Sequence, residues 1–425
     1  MEKNVLVAAI DFAEDFSQIC YFDGFMREPE SMSTIYNDKR YLIPSVIWFD
    51  DDGKRVCYGD EAVKCGKSDK GMMIENLIEL FDKNETVSVN DIEYESGQLI
   101  EKYFSHMFKL IRENKDMGKP RYVAVTIENL EERMISLLYD ILKQEGFSKE
   151  NVCVISHGEA FLYYGLSREK ELFANDVVMF DYNRTYFKYR RFNIVRNRHP
   201  QIIDTVEKDF TKDMPYSLME SEAGRKNADS VLSEFVKAEF RTHIVSTVYL
   251  AGSGFYEEWM QQSMPFICSR RRVFKGYNLF VKGACYAAME KAGCAEYKDM
   301  IFKCGGRTGA DIKLVIKHNG SDKELTLSKA GTNWYEAGAK TDCITDGDTE
   351  VRFIIDSPIS GISRNVSVDL SGFPKRPPKT TRIGITVGYQ EENKCILCVE
   401  DKGFGDFFKS SGVVNRKVVD IKEYL

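Results

Sequence analysis

Two aspartates at the ends of apolar runs are the first residues of this sequence whose type and position suit chemistry. Asp11 follows Ala9 and Ile10, and Asp181 follows the apolar run over residues 178–180. A carboxylate at the end of a buried strand can contact a metal ion through water, or it can accept hydrogen bonds from the amides of the turn that follows. The sequence leaves both interpretations open for each aspartate.

A glycine turn supplies a third position with suitable chemistry. Residues 252–254 follow the apolar run over residues 247–251 and precede a helix that is predicted to start near Tyr256. Amides at such a helix start can bind an anion or a ribose, and the neighbouring Phe255 could stack on a base. A plain tight turn between strand and helix is the open alternative.

The elements that must position these residues form two similar cycles. Residues 4–11 are predicted to form a buried strand with the hairpin partner 16–22, and residues 177–182 a strand with the hairpin partner 187–194. The other elements predicted from periodicity are the strands 43–49, 122–127, 152–155 and 247–251 and the helices 98–113, 131–145, 159–166 and 283–292. Two strand-hairpin-helix cycles predict a duplicated α/β fold with a cleft between its halves.

The pattern changes after Gly305, Gly306 and Gly309. Short strands without intervening helices are predicted over residues 312–317, 323–327, 350–356, 367–370, 382–389 and 395–400. Such strands, separated by Gly and Pro, are typical of an all-β sandwich. We therefore expect a first domain over residues 1–304 and a second over residues 305–425.

Composition excludes several classes of partner. The formal net charge of -7 offers no electrostatic footprint for nucleic acid. The basic stretches are Lys188, Arg190 and Arg191 with Arg196 and Arg198, and the run over residues 270–272; both are expected to be solvated strand or loop faces. Residues 5–10 are expected to form a buried strand, not a signal peptide or a membrane span. The 11 scattered cysteines indicate reduced thiols, so we expect a cytoplasmic protein.

Short motifs, in the same order as these elements, resemble the DnaK-type (seventy-kilodalton heat-shock) chaperones of the actin-like ATPase superfamily. The motifs that carry this resemblance are Pro44-Ser45-Val46, Gly59-Asp60-Glu61-Ala62, Tyr164-Gly165-Leu166, Leu250-Ala251-Gly252-Ser253, Lys282-Gly283-Ala284, Leu370-Ser371-Gly372-Phe373-Pro374 and Asp401-Lys402-Gly403. The resemblance implies a duplicated ribonuclease-H-like domain with reduced subdomains, followed by a substrate-binding β-sandwich. The apolar interdomain linker of that family would correspond to residues 300–302.

The resemblance also implies roles for particular residues. Asp11 and Asp181 would be the catalytic carboxylates, and they would hold magnesium through water. The residues that would contact ATP or ADP are Thr185, Gly252, Ser253, Gly254, Phe255 and Gly283. The family's catalytic lysine and glutamate would fall near Ile78 and Ser156, so neither is present, and His157 is expected to be structural.

Both hairpin tips lack the glycines with which the family brings main-chain amides to phosphate oxygens. The first tip has Glu14 and Asp15, whose charges would repel a triphosphate. The second tip has Tyr182, Asn183 and Arg184 in place of glycines. We therefore expect binding of ATP or ADP with magnesium to be weak, and hydrolysis to be weak or absent.

The sequence leaves three functions open. The first is a chaperone-like protein that binds a protein or peptide through the sandwich, where Ile344, Ile359, Ile362 and Trp334 belong either to a binding groove or to the core. Only a short tail follows Gly412, so no helical lid is expected. The second is a divergent but active ATP-dependent chaperone that uses both aspartates. The third is an actin-like cytoskeletal or division-associated adaptor.

Overall fold

The computed structural model describes residues 6–33, 41–114, 118–294, 297, 299–318 and 320–424. Residues 4 and 5, at the start of the first predicted strand, lie outside the described residues. The chain divides into two compact units, one of Met1–Ile194 with Thr205–Lys298 and one of Val195–Asp204 with Asp299–Leu425. The larger part of the chain is mixed α/β, and a region rich in strands follows it.

The first unit opens with a sheet and its helices. Its elements are β1 (Val7–Asp11), β2 (Phe16–Phe22), β3 (Glu30–Ser31), β4 (Ile43–Pro44), β5 (Ile47–Asp50), β6 (Val56–Tyr58), α1 (Gly59–Ser68), β7 (Gly71–Ile74), α2 (Leu77–Asp82), β8 (Thr86–Val89), β9 (Ile92–Glu95), α3 (Ser96–Glu113), β10 (Tyr122–Ile127), α4 (Glu132–Gln144), β11 (Val152–Ser156) and α5 (His157–Leu166). The sheet has the order β11-β10-β1-β2-β3, in which β1, β10 and β11 run parallel and β2 is antiparallel to β1. The carboxyl ends of the three parallel strands therefore meet at one edge of the sheet.

Helix α3 covers this sheet with a single apolar stripe. Leu99, Tyr103 and Met107 recur at helical spacing and are buried in the core that β1 and β10 share. The stripe predicts a helix over residues 98–113, and the structure confirms it. The helix begins earlier, at Ser96, because a capping box satisfies its first amides.

A second sheet follows along the chain. Its elements and the helices beside them are β12 (Asp176–Tyr182), β13 (Phe187–Val195), β14 (Gln201–Asp209), α6 (Glu222–Thr242), β15 (Val245–Ala251), α7 (Ser263–Cys268), β16 (Arg272–Lys275) and α8 (Leu279–Lys291). These strands have the order β16-β15-β12-β13-β14, and a sixth strand, described below, pairs with β14; β12 is parallel to β15 and antiparallel to β13. In the described parts of the chain, no helix has the length and apolarity that crossing a bilayer requires.

Two sequence predictions for the first unit are wrong. No α-helix starts near Tyr256 in the described chain, where a short 3-10 turn over Ser253–Phe255 leads into a loop. The chain turns back there because Trp259 donates its indole N–H to the carbonyl of Gly254 at 2.8 Å. The strand predicted over residues 43–49 is divided into β4 and β5, because the segment between them hydrogen-bonds to the tip of the β1-β2 hairpin.

The second unit is built from strands. They are β17 (Met300–Lys303), β18 (Asp311–His318), β19 (Ser321–Ser328), β20 (Ala339–Thr345), β21 (Glu350–Ser357), β22 (Ile362–Asp369), β23 (Thr381–Glu391), β24 (Lys394–Gly403) and β25 (Val414–Asp420). Two four-stranded antiparallel sheets, β19-β18-β21-β22 and β20-β23-β24-β25, bury their apolar faces in one shared core. In β23, for example, Ile383, Ile385 and Val387 alternate toward this core.

The second unit also corrects two expectations. Residues 300–302, expected to be a linker, form β17 and pair in parallel with residues 201–203 of β14. The tail after Gly412, for which no strand was predicted, contains the edge strand β25. Strands β14, β20 and β25 were not predicted, because polar residues interrupt the apolar alternation from which a strand is inferred.

Candidate functional site

The parallel strands bring both predicted aspartates into one buried cluster. Asp11 ends β1, Glu128 directly follows β10, and His157 directly follows β11 as the first residue of α5. Asp181 lies near the end of β12, next to the antiparallel strand β13. The cluster, here called the ion-pair network, consists of Asp11, Glu128, His157, Asp181, Lys188, Arg190 and Glu207.

His157 lies between the carboxylates of Asp11, at the end of β1, and Glu128, directly after β10. Its Nε2 lies 2.8 Å from Asp11 Oδ1 and its Nδ1 lies 3.0 Å from Glu128 Oε2. Burial favours the neutral ring, but the charges and hydrogen bonds of Asp11 and Glu128 outweigh it and raise the pKa of His157 to about 9. Phe280 stacks on the imidazole, with ring centroids 4.2 Å apart. The raised pKa and the carboxylate on each side both favour the protonated ring, in which both nitrogens donate.

Arg190 joins the carboxylates across the two sheets. The side chain is only 3% exposed, and it donates to Asp181 Oδ2 at 3.0 Å, to Glu128 Oε1 at 2.5 Å and to Glu207 Oε2 at 2.8 Å. Lys188 also donates to Glu128 and lies 3.3 Å from Glu207. Four carboxylates thus face three cations within the network, so nearly all of its charge is compensated internally.

The expectation that Lys188, Arg190 and Arg191 form a solvated face is wrong. Lys188 and Arg190 are two residues apart on β13, so both side chains emerge on the same face, and this face carries the network. Arg191 emerges on the opposite face, where it donates to Asp176 at 2.5 Å. Acidic partners on neighbouring elements supply the compensation that buried cations need. Arg196, Arg198 and most of the run over residues 270–272 are exposed, as expected.

Both carboxylate oxygens of Asp181 are already hydrogen-bonded to protein groups. Asp181 accepts from Asn183 through Oδ1 and from Tyr186 and Arg190 through Oδ2. Burial raises the pKa of Asp181, and the guanidinium of Arg190 opposes this. Burial also acts to raise the pKa of Glu128, but the adjacent cations hold it well below its ordinary value.

Metal-ligand geometry alone does not distinguish the site. Glu128, His157 and Asp181 have ligand atoms within 4.8 Å of one another, a spacing that a metal ion could bridge. Both ring nitrogens of His157 already contact carboxylates, and Arg190 lies between Glu128 and Asp181. The residues therefore do not fit the magnesium role that the resemblance implies for Asp11 and Asp181.

A cavity of about 1040 Å³ lies beside the network within the first unit. Of the residues predicted to contact a nucleotide, Thr185, Gly252 and Ser253 line it. Gly252 has φ of +90°, a backbone conformation that favours glycine, and an added Cβ would lie 2.3 Å from the carbonyl oxygen of Tyr182.

The other three predicted contacts serve packing. Phe255 is buried in the core and stacks on Trp259, with ring centroids 5.9 Å apart, so its ring does not face a ligand. An added Cβ at Gly254 would lie 2.4 Å from the ring of Tyr182. An added Cβ at Gly283 would lie 1.9 Å from a carbonyl oxygen of α5, so this glycine permits the close packing of α8 on α5.

The two hairpin tips approach the cavity with acidic and basic side chains. Glu14 accepts a hydrogen bond from the amide of Glu79 at 3.3 Å, in the first turn of α2. Burial raises the pKa of Glu14 to about 7, although this hydrogen bond acts to lower it. Asp15 lies 3.9 Å from Arg184 on the other tip, and burial raises its pKa despite this partner. The tips therefore meet through side chains at the cavity.

Sequence reasoning missed the residues that compensate the aspartates. Glu128, Arg190 and Glu207 are not among the site residues that the sequence predicts. Two signals could have found them. Glu128 follows a buried strand in the same way as Asp11, and the alternating cations of β13 pair with the strand that ends in Asp181.

The first unit is thus a mixed α/β protein with a compensated buried charge cluster at the carboxyl ends of its parallel strands. The chain belongs to the family of unknown function DUF5716, since the model of the C-terminal part of that family matches residues 28–305. Residues 307–421 match DUF8552, a domain of unknown function. A comparison with curated proteins finds no match.

Proposed function

We propose that this chain is a chaperone-like protein of the actin-like ATPase superfamily, with weak or absent ATP hydrolysis, which binds a protein or peptide partner through its C-terminal β-sandwich. In this proposal, cationic side chains take the place that phosphate-bound magnesium has in the active members of the superfamily. The ion-pair network is the observation that carries the proposal.

The two sheets of the first unit support the proposed fold. In the first, β1 lies between its hairpin partner β2 and the parallel strand β10. In the second, β12 lies in the same way between its hairpin partner β13 and the parallel strand β15. This repeated arrangement is the one expected of a duplicated ribonuclease-H-like domain. The stretch between β14 and β15 contains a single α-helix, α6, which agrees with a reduced subdomain.

The network supports weak nucleotide binding through both space and charge. Arg190 and His157 occupy the region between Asp11 and Asp181, where magnesium and phosphate would have to enter. Entry would require breaking buried ion pairs, and each broken pair costs about 3–5 kcal/mol. Glu14 at the first tip adds charge repulsion to any polyphosphate.

The second unit offers an apolar surface for a partner. Val414 and Val418 on the edge strand β25 are 54% and 50% exposed, and Val418 pairs with the half-buried Ile396 on the same outward face of the sheet. Ile344 on β20 and Ile362 on β22 are also exposed. The neighbouring side chains of Val418 and Ile396 form an apolar surface that suits an apolar segment of another protein.

The earlier groove candidates divide between surface and interior. Ile344 and Ile362 remain candidates because they are exposed, whereas Trp334 is buried and Ile359 is half-buried. The motif that most resembles the chaperone sandwich has a structural role. Asp401 accepts two hydrogen bonds from one guanidinium, at 2.6 and 2.8 Å, and it also binds the amides of Gly403 and Ser411, so it fixes the segment after β24.

Calorimetry with magnesium-ATP, together with a phosphate-release assay, tests the nucleotide part of the proposal. We expect no binding in the micromolar range and no turnover. Micromolar binding with measurable turnover would support the divergent active ATPase instead, and Asp11→Ala should then abolish the turnover.

Fluorescence anisotropy with a labelled, extended apolar peptide tests the partner part. We expect saturable binding that Val418→Glu weakens at least fivefold, because it places a charge on the apolar face. Lys323→Glu, an exposed position on β19 in the other sheet, is the matched control and should leave the affinity unchanged. Equal effects of the two substitutions would contradict a partner site on this face.

A further inference from the structure

The cavity beside the network has a wall that the proposed function does not use. Six carboxylates outside the network line it, here called the acidic wall: Glu14, Asp15, Glu79, Asp82, Asp209 and Asp213. Lys212 is the one cation outside the network among the described lining residues. Lys83 and Arg184 contact Glu79 and Asp15 from the rim, at 2.6 and 3.9 Å. The acidic wall therefore has more negative than positive charge around it.

The electrostatics of the wall agree with this excess. The pKa values of Glu14, Asp15 and Asp82 are each raised, and burial is the main cause in all three. Glu79 and Asp82 add repulsion at Glu14, and Glu131 adds repulsion at Asp82. A cation brought into the cavity would stabilise the ionised forms of these groups.

The buried side-chain amide of Gln18 is an independent observation, because its oxygen lacks a hydrogen-bond donor. Gln18 lines the cavity and is only 4% exposed. Its Nε2 donates to the main-chain carbonyl of Tyr277, whereas its Oε1 has no hydrogen-bond partner in the described part of the chain. A buried acceptor without a donor is unfavourable, so an N–H group from a ligand would improve this position.

Aromatic rings complete the lining. Tyr256 and Tyr277 pack edge to face with centroids 4.8 Å apart, and both are partly exposed. Phe280 lies deeper, against the imidazole of His157. Aromatic faces attract ammonium groups and also pack against methylene chains. Carboxylates beside aromatic rings therefore form a lining suited to an organic cation.

We propose that this cavity binds a small organic cation with two or more ammonium groups, of the aliphatic polyamine class. Its ammonium groups would contact the acidic wall and Gln18 Oε1, and its methylene segments would pack against Tyr256 and Tyr277. The inference rests on the proposed function, because the cavity takes this form only while the ion-pair network excludes a polyphosphate.

Calorimetry with spermidine as the probe tests the inference, at about pH 8, where Glu14 is ionised. We expect binding, and we expect Glu14→Gln and Asp82→Asn each to weaken it about fivefold, the effect of losing one partly exposed ion pair. Gln18→Glu should tighten binding, because it places a charged acceptor where the neutral one has no partner. Asp140→Asn removes an exposed carboxylate that does not line the cavity, and it should leave Kd unchanged.

Several results would overturn the inference. One is the absence of spermidine binding at millimolar concentration by the folded wild type. Another is binding that Glu14→Gln, Asp82→Asn and Gln18→Glu all leave unchanged in variants whose circular dichroism matches the wild type. A third is that magnesium chloride competes with spermidine equally well, which would indicate an inorganic cation site. Titration with magnesium-ATP in the same series tests the proposed function separately, so the two failures are distinguishable.

Discussion

Replacing Arg190 by methionine would leave buried carboxylates without their main cation. The guanidinium contacts Asp181 at 3.0 Å, Glu128 at 2.5 Å and Glu207 at 2.8 Å, while methionine would fill much of the space without the charge. Removing one partner of a buried ion pair costs about 3–5 kcal/mol. Glu207 is half exposed and adds little, so we expect Arg190→Met to lower the free energy of unfolding by about 4 kcal/mol.

Urea unfolding followed by far-ultraviolet circular dichroism measures this loss. The helical signal reports the first unit, because the α-helices of the described chain all lie there. Arg184→Met is the matched control, since this side chain is in the same hairpin but 68% exposed, and we expect a loss below about 0.5 kcal/mol. A loss for Arg190→Met no larger than that of the control would refute the reasoning.

The pH dependence of the loss separates charge from packing. In Arg190→Met, Asp181 and Glu128 lose the guanidinium that acts to lower their pKa values, so we expect both pKa values to be higher than in the wild type. The folded variant therefore takes up protons more readily, and its deficit relative to the wild type shrinks as the pH falls toward the ordinary carboxyl range. A deficit that stays constant from about pH 8 to about pH 5 would show that lost packing is the cause.

Three further predictions concern positions away from Arg190. Burial raises the pKa of Glu14 from 4.5 to about 7, so the wild type loses stability as the pH rises through that window. Near pH 8, Glu14→Gln should therefore be more stable than the wild type by about 1 kcal/mol, after allowance for partial exposure, and near pH 4 the two should be equally stable. Thermal unfolding at both pH values checks the sign. Gly283→Ala places a Cβ 1.9 Å from a carbonyl oxygen of α5 and should cost about 3 kcal/mol in urea unfolding, whereas Gly276→Ala, which meets no atom within 4 Å, should cost little. Asp401→Asn weakens a buried bidentate ion pair and should cost about 3 kcal/mol, with faster proteolysis of the segment after β24; unchanged proteolysis would contradict its anchoring role.

The buried strands could be predicted from the sequence because their signal is local. Each of β1, β10 and β12 is a continuous apolar run, as strands buried on both faces require. Helix α3 was equally clear, because its apolar residues recur at helical spacing over its whole length. The edge strands β20 and β25 were missed, since a strand with solvent on one side and an open edge needs few apolar residues. Strand β14, which lies between β13 and β17, was missed because polar residues follow its short apolar start.

The candidate site was predictable only in part. Both aspartates could be selected because each ends an apolar run. The partners of Asp181 and Asp11 depend on which strands become neighbours, and Glu128 lies 62 residues from Arg190 in the chain. Arg190 is one of three cations within the four residues 188–191, a density of charge that suggests a solvated surface, so it was assigned to the surface. Phe255 was misplaced for the opposite reason, because the position of its motif suggested a ligand contact while the fold uses its ring in the core.

The covalent attachment of the cations in the ion-pair network has a consequence for regulation. A magnesium nucleotide binds, is hydrolysed and is released, and each of these steps can change the conformation of a protein. The guanidinium of Arg190 is part of β13, so it cannot dissociate or be hydrolysed, and its charge stays at this site as long as the protein is folded. Under the proposed function, the concentration of the partner and its rate of release therefore determine when the partner is bound, and a nucleotide cycle within the protein does not.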